Sequence, residues 1–265
     1  MTTILISKPR ETTIEAITEL GRQVCEKLSA AASIDADLCL VPHLYDLEET
    51  GEIVGAIRQI STDGPVIVFA AMFPRAVRWT LQSFGAAVGN PDLHCFDLRE
   101  IDITNPAAAA ETIVDAITNV PGIVAADGSA PRPDGVCSMQ MLIDDSTPAR
   151  WYPVIDNERC SGCLECLNFC LFGVYGLDEN SRPIVEQPDA CRDGCPACSR
   201  ICPAQAIIFP MYSDSMIAGR LAPEPASSPT AAPADAKPEA QQSQADEERR
   251  NALDRLVDDI DDMDL

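Results

Sequence analysis

Eight cysteines dominate the chemistry open to this chain. They lie between Cys160 and Cys202 in two runs, Cys160-Ser-Gly-Cys163-Leu-Glu-Cys166-Leu-Asn-Phe-Cys170 and Cys191-Arg-Asp-Gly-Cys195-Pro-Ala-Cys198-Ser-Arg-Ile-Cys202. Four more, Cys25, Cys39, Cys95 and Cys137, are scattered upstream. Thiols this dense either crosslink a small secreted scaffold or hold metal. The chain has 265 residues and opens MTTILISKPRETT, with no basic segment leading into a long apolar stretch. That favours metal over a disulfide framework. Zinc sites more often show two cysteine pairs separated by a longer gap. Gaps of two, two and three residues, as between Cys160 and Cys170, are unusual for one tetrahedral ion.

The first run, and the Cys202-Pro203 step that closes the second, resemble the bacterial-type two-cluster ferredoxin family over residues 150–210. The resemblance implies a small α+β ferredoxin-like domain with two [4Fe–4S] clusters. Each would be held by three cysteines of one run and the last cysteine of the other. Carried over residue by residue, the first set is Cys160, Cys163, Cys166 and Cys202, and the second is Cys191, Cys195, Cys198 and Cys170. The fourth cysteine of each run is expected to start a helix and point away from its own loop. The flanking sequence agrees: Tyr152–Asp156 and Ile207–Pro210 read as one hairpin, and 174–177 with 183–186 as another across a turn at Asp178–Ser181. The chain departs from the family pattern in two places. Leu171 stands where proline is usual, and three residues separate Cys191 from Cys195, a widening that Gly194 can absorb. Fully ligated cubes leave no open iron, so the implied role is single-electron transfer between protein partners. Leu164, Leu167, Phe169, Leu171, Phe172, Ile201 and Ile207 are expected to keep water from the clusters.

Residues 1–120 alternate apolar strands with helical periodicity. Strands are expected at Thr3–Ser7, Leu38–Tyr45, Pro65–Ala71 and His94–Leu98. Helices are expected from Thr12 to about Ser29 and at Glu52–Ile60, Arg75–Phe84 and Pro106–Val120. The order argues for an α/β domain with a parallel sheet, flavodoxin-like or a similar three-layer arrangement, serving for docking or regulation. Ligands of such sheets sit at the strands' carboxyl ends. His43, Pro74, Arg75, Arg78, Trp79, His94, Cys95, Asp97 and Arg99 fall there. Arg75 and Arg78 are as readily explained by salt bridges, and Trp79 by the core. Neither G-x-G-x-x-G nor a P-loop occurs, so no nucleotide site is expected. The alternative function is an oxidoreductase whose α/β domain binds a small anionic substrate or cofactor supplied with electrons by the clusters. A structural or sensing role for the clusters stays open. Cys25, Cys39 and Cys95 read as packed small hydrophobes. Cys137 lies in a linker, 121–149, with no evident partner; that linker also holds one apolar piece, Met139–Ile143, readable as a stray strand.

The formal net charge is −23. A surface so acidic repels nucleic acid and anionic lipid and favours basic patches on protein redox partners. No apolar run approaches a bilayer span, so neither direct membrane insertion nor a location other than the cytoplasm is expected. Residues 221–248 are rich in Pro, Ala, Ser, Gln and Glu and are expected to be disordered. Residues 249–265 place Leu253, Leu256, Val257, Ile260 and Met263 on one face of an acidic amphipathic helix, suited to a partner's groove.

Overall fold

Apolar residues run unbroken through the central strands, and the chain folds accordingly. In the computed structural model, residues 2–30, 34–60, 64–123, 137–143 and 147–221 are described. The expected disordered segment and terminal helix lie, from residue 222 on, outside them, as does much of the expected linker. The first lobe comprises β1 (Thr2–Ser7), α1 (Ile14–Ala30), β2 (Ala36–Val41), α2 (Glu52–Ile60), β3 (Val66–Ala70), α3 (Pro74–Ser83), β4 (Leu93–Asp97), α4 (Pro106–Thr118) and β5 (Cys137–Met141). The sheet order is β4-β3-β1-β2-β5, parallel throughout.

Every residue of β1 and β3 is buried, as strands covered on both faces require. Alternate side chains feed two cores. Leu5, Cys39, Val41, Val66 and Val68 join Val54, Ile57, Ala76 and Val77 of α2 and α3. Ile4, Ile6, Leu38, Leu40, Ile67 and Phe69 join Ile17, Leu20, Val24, Ala110 and Ile113 of α1 and α4. Gly21 lets α1 approach the sheet closely, since a Cβ there would sit 3.0 Å from the Leu40 side chain.

The sequence-derived helices and strands recur within a few residues, with two differences. The second strand ends at Val41, and Leu44–Asp46 is a 3-10 turn. The apolar piece inside the expected linker is β5, in register with β2 from Ala36↔Cys137 to Leu40↔Met141. Cys137 at its start is disulfide-bonded to Cys25 of α1, so neither cysteine is the packed or unpartnered thiol that its neighbours in sequence suggested.

The cysteine lobe comprises β6 (Val154–Ile155), α5 (Glu165–Phe169), β7 (Tyr175–Leu177), β8 (Pro183–Val185), α6 (Ala197–Ile201) and β9 (Ile207–Ile208). β6 pairs antiparallel with β9, and β7 with β8. The described residues form one compact unit, and Tyr152, Val154 and Ile208 complete the core beside α2 and α3. Two polar seats lock the lobes. Asp46, 4% exposed, binds the Arg10 guanidinium and accepts from Arg150 N–H at 2.9 Å. Asp156 accepts from Arg75 Nε at 2.6 Å, while Arg75 Nη2 reaches the Gln205 carbonyl at 2.7 Å. Tyr45 and Tyr152 stack with centroids 4.5 Å apart.

The Arg75 and Asp156 side chains are 9% and 4% exposed. Arg75→Met strands a buried carboxylate and is expected to cost about 3–5 kcal/mol, read by urea unfolding. A loss below about 1 kcal/mol would mean that this pair behaves as a surface bridge.

Candidate functional site

Two one-turn helices carry the third cysteine of each run. Cys166 lies in α5 and Cys170 directly follows it, its N–H donating to the Cys166 carbonyl at 3.1 Å. Cys198 lies in α6 and Cys202 follows it. The fourth cysteine therefore ends a helical turn rather than starting one, a correction to the expectation above. Each run turns sharply just before its helix, so the helical turn is used up by the time the fourth cysteine is reached. Leu164, at the N-terminus of α5, adopts φ 63°, and Gly194, in the widened gap of the second run, φ 71°. Glycine tolerates that region without cost and leucine does not.

Cys191, Cys195, Cys198 and Cys170 all line one cavity of about 420 Å³, walled otherwise by Pro153, Phe169, Leu171, Phe172, Val174 and Tyr175. One of the four comes from the other run. Burial pushes the Cys191 thiol up to about 12, reinforced by Cys198, Cys195 and Cys170. It pushes Cys198 up to about 11, again with Cys170 and Cys195 adding. Cys166 is likewise raised to about 11 by burial, with Cys160, Cys198 and Cys202 contributing. Cys202 thus acts on a thiol of the first run and Cys170 on thiols of the second. Cys163 is exposed. Among the described residues no group of three or more His, Cys, Asp or Glu side chains is placed to hold a single metal ion.

Two donors stand beside the sulfurs. The Tyr175 hydroxyl is buried, and the Cys198 thiol beside it, within hydrogen-bond reach, is among the groups that hold its pKa far up after burial. A hydroxyl so placed is a donor waiting for an anionic sulfur. The Ala206 N–H already points at Cys202 Sγ, 3.3 Å away. Trp151 Nε1 donates to the Cys195 carbonyl at 3.3 Å and stacks on Phe209. Neither Trp151 nor Tyr175 stood out in the sequence; an aromatic beside a short strand of a cysteine-rich lobe is the only signal there.

Of the residues expected to exclude water, Ile207 is 3% exposed, whereas Leu171, Phe172 and Phe169 are 93%, 43% and 49% exposed. These three form an apolar rim over the cavity instead of a seal.

Most of the strand-end candidates are held by neighbours in the structure. Arg75 is held in the Asp156 pair, Arg78 reaches the Leu93 carbonyl at 3.4 Å, and Trp79 is in the core. Arg99 grips Asp97 and lies over Phe73. Pro74, Arg75, Arg78, Trp79, His94 and Cys95 border one open cleft with Asp156 and Glu158. Burial raises Cys95 to about 12 and Cys39 to about 11, as in unreactive packed thiols. No helix among the described residues is long and apolar enough to cross a membrane.

No known family model matches the chain. A stretch of 61 residues is 48% identical to an uncharacterized ferredoxin of Methanocaldococcus jannaschii, covering 23% of this chain and 41% of that protein. Over 55 residues it is 40% identical to the pyruvate synthase subunit PorD of the same organism, 21% of this chain and 62% of the subunit. Over 52 residues it is 36% identical to the archaeal-type NADPH glutamate synthase of Thermotoga maritima, 20% of this chain and 10% of that enzyme. The chain thus spans less than two thirds of each of these curated relatives.

Since Leu171 is almost fully exposed, Leu171→Glu is expected to change stability by no more than about 0.5 kcal/mol, measured by chemical unfolding. A larger loss would mean that the side chain packs in solution.

Proposed function

We propose that this chain is an electron-transfer protein, or the electron-transfer subunit of a larger oxidoreductase, carrying two [4Fe–4S] clusters. The observation that carries the reading is the apolar cavity ringed by Cys191, Cys195, Cys198 and Cys170, with the fourth thiol supplied by the other run. The similarity to a ferredoxin and to a pyruvate synthase subunit supports the same chemistry. Cys160, Cys163, Cys166 and Cys202 would hold the other cluster. When bound, each cluster supplies a one-electron redox site.

The chain's own residues set the conditions for that site. Tyr175 O–H and Ala206 N–H are the donors that would stabilise thiolate charge at Cys198 and Cys202. The apolar walls reduce hydration of the sulfurs, and the net charge of −23 opposes the arrival of another electron. Both of the latter favour strongly negative potentials. Phe169, Leu171 and Phe172 crown the cavity, and Glu165 and Asp193 of the same two runs are exposed. A redox enzyme presenting an apolar spot within a basic rim complements this surface and would receive the electron across the least protein. The α/β lobe, joined to the cysteine lobe at Asp46 and Asp156, serves to orient that encounter.

The test is an EPR-monitored redox titration of anaerobically prepared chain. The expected result is two reversible one-electron signals at strongly negative potential. In Cys170→Ala the signal of the Cys191/Cys195/Cys198 site should be lost or altered while the other survives, although Cys170 sits in the first run. Absence of any reversible signal in the unsubstituted chain would overturn the reading.

A further inference from the structure

β1 and β3 are neighbours in the sheet, yet the loop after β1 leads to α1 on one face and the loop after β3 to α3 on the other. Parallel sheets bind ligands in the crevice that such a divergence opens. Here the crevice is a cavity of about 410 Å³, within the range of about 300–1,000 Å³ common for small-molecule sites. Thr12 after β1, His43 after β2, Ala71 after β3 and Arg99 after β4 line it, and the cysteine lobe closes it with Met211 and Tyr212.

His43 supplies the strongest pointer to a ligand. It is 5% exposed, and neither ring nitrogen has a hydrogen-bond partner. The nearest charged group, Asp46 Oδ2, is 3.6 Å from Nδ1, and both Asp46 oxygens are already taken by Arg10, one of them also by the Arg150 N–H. Burial, chiefly, pushes the imidazole down to about 4, with Arg10 and Lys8 adding to the drop against Asp46. The ring is therefore neutral, with one nitrogen to donate and one to accept. A buried polar group left unsatisfied costs free energy that a ligand partner would recover.

The lining also selects for charge and shape. Arg10 and Arg99 each bind a carboxylate through Nε and Nη2, which leaves Nη1 of each without a hydrogen bond among the described residues. Glu11 is the one acid lining the cavity among them, and Leu98, Ile101 and Ile103 supply apolar wall. With their charge shared by Asp46 and Asp97, the two guanidiniums still offer an Nη1 donor each to an anion, and the apolar wall is a place for a flat body beside it. Tyr212 meets the Trp151 ring edge-on at 6.2 Å, and Trp151 in turn bonds the Cys195 carbonyl. Tyr212 and Trp151 thus lead from the cavity to the backbone of Cys195 in the second cysteine set.

We propose that this cavity is a binding site for an organic anion, a flat apolar body ending in a phosphate or carboxylate, with the anionic end at Arg10 and Arg99 and the body against His43 and Tyr212. The site is separate from the cysteines and does not depend on the number of clusters they hold.

Calorimetric titration of the full chain with 1-naphthyl phosphate, 2-naphthoate and neutral 2-naphthol tests this. At least one of the two anions is expected to bind with a Kd below about 1 mM, the better of them identifying the anionic group, and 2-naphthol at least about tenfold more weakly. His43→Phe and Arg99→Gln should each weaken the anion about tenfold or more while iron content stays that of the unsubstituted chain, which keeps the outcome distinct from failure of the cluster reading. If His43→Phe does not fold, Arg99→Gln decides. Binding of neither anion, binding of 2-naphthol as tight as theirs, or binding indifferent to Arg99→Gln overturns the proposal.

Discussion

Cys191, Cys195, Cys198 and Cys170 face a common apolar space, and burial makes thiolates there costly. A charged sulfur in that space loses its water and is repelled by its neighbours, which is why Cys191 and Cys198 are held up at about 12 and about 11. A cationic centre that displaces the thiol protons removes both penalties at once. The lobe is arranged around this constraint. Its own core consists largely of Ile155, Val174, Tyr175, Ile207 and Phe209 with Cys166 and Cys198 among them. So few apolar side chains give a small lobe little stability of their own, so ligation would do for it what a larger core does elsewhere.

The other support is the α/β lobe. Tyr152, Val154 and Ile208 sit in the core shared with α2 and α3, and the hairpin that flanks the cysteine runs is thereby anchored to a five-stranded sheet. Asp46 and Asp156 fix the angle of the seat, each satisfied by an arginine and by backbone N–H groups. Because the same seat borders the crevice at the strand ends with Met211 and Tyr212, the cysteine lobe and the crevice are parts of one compact unit. The apolar rim at Leu171 borders the second cysteine set directly, and the cavity at His43 reaches the same set through Tyr212 and Trp151.

Much of this was legible in the sequence, for physical reasons that also explain what was not. The βαβ succession is written in unbroken apolar runs such as PVIVFAA and in the helical spacing of Ile14, Ile17, Leu20, Val24 and Leu28. Both are local signals. Cys25 belongs to the same amphipathic helix and reads as one more apolar residue, because its bond to Cys137 spans 112 residues and leaves no local trace. The same holds for Arg75 with Asp156 and Arg10 with Asp46, pairs made by the docking of lobes. The cysteine spacing shows which thiols belong to a run but not which side of the turn faces water, so Phe169, Leu171 and Phe172 were read as a seal and stand instead as a rim. His43 was visible as a strand-end residue, but its missing partners could be seen only once Asp46 was found occupied on every side.

The central claim is that two four-thiol sets each enclose an iron–sulfide cube. Iron and acid-labile sulfide determination on anaerobically purified chain tests it most directly. The account requires about eight irons and eight sulfides per chain in a brown protein. A colourless protein containing zinc in their place would contradict it.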